Sequence, residues 1–345
     1  MKLNEKKFFK LAAQKGFEAA DIYFHRGYAL SMSVFHGQVD SFTQNDNYIL
    51  TARGILNGKF GAVTTETVDK NTPEFLVDAI AKTASVIENK DPSIIFKGSE
   101  KYHKKSVYNK DVLTGDVDGK VKLLLEIEKK LKAYDKRINE VVSVGYEESY
   151  SEDKLSNSYG LKLSQKQANY AFIAEVTAKQ GEEVRSGYHV FVSLDPNEFN
   201  IEKFVKEVAE DALLKLGSTQ CESKKYPVML SPETASTLIK FLLSSIDAEE
   251  VQKHSSFFED KLNQQVLSKK LTVIEDPLKK SIFFRYFDDE GVSTNKKFLI
   301  KKGTLETYLH TLQTAKKDGV EPTGNGYRGG GKAHADTALI IVNPG

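Results

Sequence analysis

The chain has a single cysteine, Cys221, which rules out an internal disulfide and fits a reducing compartment, the cytoplasm. It has no apolar run of membrane length. Its start, Met1-Lys2-Leu3-Asn4-Glu5-Lys6-Lys7, leads into an amphipathic helix without the apolar stretch of a signal peptide. Neither sign of charge is in surplus. The 49 Lys and Arg residues and 48 Asp and Glu leave a formal +1, so no global field favours phosphate backbones or anionic lipid, and nucleic acid and membrane drop out as leading partners. There is no internal repeat, and Gly329-Gly330-Gly331 is the notably biased run.

What is present is an ordinary globular composition, 40% hydrophobic and 28% charged, which argues against wholesale disorder. At 345 residues the chain exceeds what one core usually serves, so two domains are expected. Charged residues and a proline at Lys224-Lys225-Tyr226-Pro227 suggest the boundary, giving domains over 1–224 and 225–345. In the first, helices are expected over 5–15, from the Thr72-Pro73-Glu74 start with Thr72 as cap, along Leu124, Ile127, Leu131 and Tyr134, and after Asn200. Strands are expected at Ala20 to His25, Leu30 to Phe35, Val141 to Tyr146 and Gln167 to Lys179, the last turning at Gln180-Gly181-Glu182. Asn57-Gly58 between apolar residues marks a two-residue hairpin. The fold class is therefore α+β: a mixed, largely antiparallel sheet with flanking helices, followed by a β-rich C-terminal domain. Strands in the latter are expected at Leu271 to Ile274, Ser281 to Phe287 and Ala338 to Val342, with a hairpin from Phe298 to Leu305.

The sequence offers little obvious chemistry. His25, His36, His103, His189, His254, His310 and His334 show no metal-ligand spacing, and each reads as a surface or partly packed residue. Gly326 to Lys332 has the spacing of a phosphate-binding loop, but Ala333 replaces the Ser/Thr for magnesium and a strand is expected next. Phe287-Asp288-Asp289-Glu290-Gly291 could bind a hard cation or a peptide amino terminus, and reads more readily as a solvated turn. There is no Gly-x-Ser-x-Gly elbow, and Cys221 has no partner base.

The order of the pieces resembles the TldD/PmbA family, first described as modulators of DNA gyrase and associated with peptide processing. The matching residues are Ala20-Asp21-Ile22-Tyr23, Arg53-Gly54, Gly58-Lys59-Phe60-Gly61-Ala62, Asn157-Ser158-Tyr159-Gly160-Leu161, Ser255-Ser256-Phe257, Lys261-Leu262, Thr272 to Pro277, the acidic cluster and Thr323-Gly324-Asn325. The resemblance implies that TldD-like members carry a His-Glu-x-x-x-His zinc motif where this chain has Leu230 to Ser236. The motif positions here are Ser231, Pro232 and Ser236, so the chain resembles the PmbA branch, also called TldE. Independently of the family, Ser231 suits a helix cap, Pro232 a first helical position, and Ala235, Leu238, Ile239, Leu242, Leu243 and Ile246 form an apolar stripe expected to pack. Family members run past Val342-Asn343-Pro344-Gly345, which implies a second domain truncated relative to them.

The expected function is a non-catalytic subunit without cofactor that pairs as a heterodimer with a TldD-like chain carrying zinc, the pair processing or degrading unfolded or extended peptide. No catalytic or metal residue is expected in this chain, and the peptide-cleft candidates are Lys261, Asp288, Asp289, Glu290, Asn325 and Arg328. The alternatives are an independent metallopeptidase built on Asp288, Asp289 and Glu290 with His254 or His310, and a gyrase- or nucleic-acid-associated binding protein.

Overall fold

The computed structural model describes residues 3–87, 94–329 and 332–343, so Met1-Lys2, Gly330-Gly331 and Pro344-Gly345 lie outside the described residues. One antiparallel sheet dominates. Its strands are β1 (Ala19–Phe35), β2 (Gln38–Leu56), β3 (Lys59–Thr65), β4 (Ile138–Asn157), β5 (Lys162–Gln180) and β6 (Glu183–Ser193), in the order β3-β2-β1-β4-β5-β6. Asn57 and Gly58 turn β2 into β3 with φ of 52° and 71°, the conformation that a type I′ hairpin requires. Where two strands were expected between Ala20 and Phe35, the chain forms one. Gly27, the apparent break, lies opposite Asn47 on β2 and Ser151 on β4, and pairing on both edges carries the strand through it.

The alternation of β1 divides the two faces of the sheet. Ala20, Ile22, Leu30 and Met32 face four helices, α1 (Glu5–Gln14), α2 (Thr72–Val86), α3 (Val117–Tyr134) and α4 (Ile201–Leu213). Phe8, Leu76 and Ile80 pack at one end of that layer, and Leu124, Ile127, Leu131, Phe204 and Val208 at the other. Asn200 caps α4 as expected, accepting from the Lys203 amide. Thr72 does not cap α2. It is the first helical residue, and its hydroxyl reaches back, accepting from the Asp69 amide at 2.7 Å and donating to the Asp69 carboxylate at 3.0 Å.

The second half adds α5 (Pro232–Ser244), α6 (Ala248–Gln252), β7 (Thr272–Glu275), β8 (Lys297–Lys301), β9 (Thr304–Leu305), α7 (Leu312–Asp318), β10 (Gly326–Gly329), β11 (Lys332–Ala335) and β12 (Ile340–Asn343). β12, β7, β8 and β9 make a second sheet, and β10 and β11 a separate hairpin. These strands are short, so the extended sheet belongs to the first half. Ser281 to Phe287 is not a regular strand. Phe284, Tyr286 and Phe287 are all buried against Leu155 and Leu163 of the large sheet, and two adjacent inward side chains are incompatible with a strand's period of two. The apolar stripe of α5 is also only partly packed. Leu243 and Ile246 join the second core and Ile239 and Leu242 pack against it, whereas Leu238 is 48% exposed.

Close backbone approach fixes how helices sit on the sheet. A Cβ on Gly61 would overlap the Ile80 carbonyl oxygen of α2, and one on Gly187 would overlap the Ala212 amide of α4. Gly61→Ala and Gly187→Ala are each expected to lower stability by about 2 kcal/mol or more in urea denaturation. A loss below about 0.5 kcal/mol, the range of an ordinary surface change, would contradict this packing.

Candidate functional site

The face of the sheet opposite the helices carries polar groups set by strand register. Asp21, Tyr23 and His25 alternate along β1. Their partners are Arg53, Thr51 and Ile49 on β2, and Asn157, Leu155 and Asp153 on β4. The segments around 282–289 and 325–328 fold down onto this face.

Asp21 is the joint between the layers. Arg53 Nε donates to it at 2.9 Å and Arg53 Nη2 makes a second, shorter contact, while Arg328 Nη2 donates from the far end of the chain at 3.2 Å. All three side chains are at most 5% exposed. Burial pushes the Asp21 carboxyl up, but Arg53 and Arg328 more than offset it and hold it below the usual range. Burial pushes the Arg328 guanidinium below its usual value, and the neighbouring Arg53 adds to the effect.

Beside the joint lies a cavity of about 520 Å³ whose lining includes Tyr23, His25, Ile49, Thr51, Asp153, Phe283, Arg285, Asp289, Tyr327 and Arg328. The Tyr23 hydroxyl lies 2.8 Å from Asp153 Oδ1 and 2.9 Å from Asp289 Oδ1, and its single proton serves one of them at a time. Each oxygen has another donor, His25 Nδ1 at 2.7 Å for Asp153 and Arg285 Nη2 for Asp289. The bond to Asp153 raises His25 above the ordinary imidazole value. Burial pushes Asp153 up, and His25 and Arg285 reverse this to leave it below the usual range. Burial pushes the Tyr327 hydroxyl up to about 12.

The six cleft candidates separate. Asp289 and Arg328 line the cavity. Asp288 and Glu290 are inner supports, so the turn is buried and not solvated. Asp288 accepts from the amides of Glu290, Val292 and Gly326 at 2.8–3.0 Å, yet burial and the neighbouring Glu290 push it up to about 7. Glu290 accepts from the Leu312 amide at 2.8 Å, and Gly326 has no room for a Cβ because Glu290 fills that space. Asn325 is fully buried, with its amide on Glu275 at 2.9 and 3.0 Å, and braces β7. Lys261 is exposed and is not among the lining residues. Sequence reasoning missed Tyr23, His25, Asp153 and Arg285. The Asp21-x-Tyr23-x-His25 alternation in a strand was the available signal.

The residues at the zinc-motif positions do not fit a metal. Ser231 Oγ caps α5 by accepting from the Thr234 amide at 3.3 Å, Ser236 Oγ donates to the Glu233 carbonyl at 2.8 Å, and Pro232 has no ligand atom. Among the described residues no three His, Cys, Asp or Glu are grouped to hold a metal ion. His254 is exposed and bonded to Glu259, and His310 is buried with burial lowering its basicity. No helix among the described residues is long and apolar enough to cross a membrane.

Three family models match successive parts of the chain: PmbA/TldA metallopeptidase domain 1 at residues 20–89, the central domain at 110–216 and the C-terminal domain at 223–345. Metalloprotease MJ0996 of Methanocaldococcus jannaschii is 26% identical over 317 residues, covering 89% of this chain and 69% of that protein. Metalloprotease PmbA of Escherichia coli O157:H7 is 27% identical over 210 residues, 60% of this chain and 47% of that protein. Among solved structures, TM0727 of Thermotoga maritima, described as a modulator of a DNA gyrase, is 27% identical with a TM-score of 0.89, covering 99% of this chain and 77% of that one. TldE of Thermococcus kodakarensis, at 21% identity and a TM-score of 0.91 over 99% of this chain and 78% of that one, shares the fold. The chain thus spans 69% of the length of MJ0996 and 77–78% of the length of the two solved chains.

Removing the charge at the joint tests its role. Asp21→Asn leaves two buried guanidiniums without their carboxylate and is expected to cost about 3–5 kcal/mol near neutral pH. Because the folded-state carboxyl is held low, its stabilisation is present above the ordinary carboxylate range and lost as pH falls through the lower, folded value. The gap between wild type and variant in urea denaturation should therefore narrow in acid. A gap that stays constant across pH would show that Asp21 does not act through its charge.

Proposed function

This chain belongs to the TldD/PmbA metallopeptidase family, and within it we propose that the chain is the zinc-free, TldE-type subunit of a two-chain peptidase, with a TldD-like partner supplying the zinc. The observation that carries this reading is the start of α5. Where the family resemblance places two histidines and a glutamate, a serine caps the helix, a proline occupies its first position and a second serine is tied back to the Glu233 carbonyl. None of these can act as a zinc ligand or as a base on metal-bound water without rebuilding the helix start.

The proposed contribution of this chain is to bind and orient peptide. The cavity beside Asp21 offers fixed polar groups from four separated parts of the sequence, held by a buried network and by strands rather than by loop tips. Extended peptide suits such a site because sheet edges supply backbone hydrogen bonds while the cavity reads a side chain or terminus. A cytoplasmic location belongs to this reading and is supported by the single cysteine, which fits a reducing compartment.

Elemental analysis of the chain purified from zinc-supplemented growth is expected to show no stoichiometric zinc. Tightly bound zinc that survives dialysis would overturn the proposal.

A further inference from the structure

Hydrogen-bond capacity in the cavity is unevenly spent. Its carboxylates are satisfied without the ligand: Asp153 Oδ1 accepts from His25, Asp289 accepts from Arg285 and, at 2.9 Å, from the Arg328 amide, and the single Tyr23 proton serves one of the two. Its cations are not. Arg328 has a side chain 5% exposed and gives Nη2 to Asp21, while its Nε and Nη1 find no acceptor among the described residues. With Nδ1 committed to Asp153, the remaining ring nitrogen of His25, Nε2, is the one left for a ligand, and this side chain is 40% exposed. A buried guanidinium with unmet donors is costly, and an anion placed near it relieves that cost. The walls at Ile49, Ile282, Phe283 and Ala338 are apolar, which suits a carbon chain attached to the anion and not a free inorganic ion.

We propose that the cavity is a carboxylate-binding subsite, taking a carboxylate borne on an apolar stretch of extended peptide, with His25 as the direct donor and Arg328 as the buried countercharge behind it. This rests on the peptide-binding reading above and specifies which peptides the chain selects. The carboxylate can be a peptide's C-terminus or an internal Asp or Glu side chain. His25 faces Asp153 from β4 and Asp289 and Arg285 from the overlying segment, and Nε2 donates only when the ring is protonated. Affinity for the carboxylate therefore falls as pH rises through the elevated value of His25.

The test is calorimetric titration of the whole chain with capped peptides at constant pH. For the terminal source, acetyl-Ala-Ala-Ala-Leu as free acid is compared with its amide. For the side-chain source, acetyl-Ala-Ala-Glu-Ala-Ala-amide is compared with its Gln counterpart. A charge-assisted contact predicts at least about a tenfold preference for the acid in one of the two pairs, and that pair identifies the source. His25→Phe, which keeps an aromatic ring and removes both ring nitrogens, is expected to lose most of that preference. Acid and neutral forms binding within about twofold in both pairs, or a preference unchanged in His25→Phe, would overturn the proposal. Zinc content is a separate measurement, so failure of the carboxylate site and failure of the subunit reading can be told apart.

Discussion

The arrangement of the two halves depends on one carboxylate. Asp21 sits on a central strand, fixed by pairing to both neighbours, and is held between Arg53 from the next strand and Arg328 from near the chain's end. A buried ion of this kind is weak evidence for net stability, because desolvation cancels much of the attraction. Its value is positional. Once Asp21 is buried, leaving either guanidinium elsewhere strands a charge, so the segment bearing Arg328 is required to lie across the polar face of the sheet. That requirement also brings Asp289 over Tyr23 and closes the cavity.

Much of this architecture follows from periodicity. The hairpins at Asn57-Gly58 and Gln180-Gly181, the helix over Leu124 to Leu131, the Asn200 cap and the Ser231-Pro232 start are local signals, and local physics decides them. The departures come where long-range contacts decide. Gly27 reads as a break and is carried through by two partner strands. Ser281 to Phe287 reads as a strand and becomes a docking segment, because Leu155 and Leu163 accept three of its aromatic rings. The acidic run reads as solvated and is buried, because backbone amides distant in sequence, those of Gly326 and Leu312, supply its hydrogen bonds.

The site shows the same limit. Asp289 is legible within the family pattern, and Arg328 as a cleft candidate in the glycine-rich run from Gly326 to Lys332. His25 and Asp153, 128 residues apart, become a pair only through the register of β1 and β4. A lone histidine in a sequence carries almost no information about such a partner, and the alternation of Asp21, Tyr23 and His25 along one strand identifies their shared face but not what covers it.

In this account chemistry and recognition are divided between chains. The helix where the family resemblance places a metal motif is here a capped structural element, and the groups arranged to meet a ligand lie instead on the sheet face. The most direct measurement is hydrolysis of an unfolded peptide by this chain alone, by a TldD-like chain alone and by the two together, with the partner's zinc-motif histidines intact or replaced by alanine. The account predicts no hydrolysis by this chain alone, and hydrolysis by the pair that disappears when the partner's histidines are replaced. Chelator-sensitive hydrolysis by this chain alone, or activity of the pair that survives loss of those histidines, would contradict it.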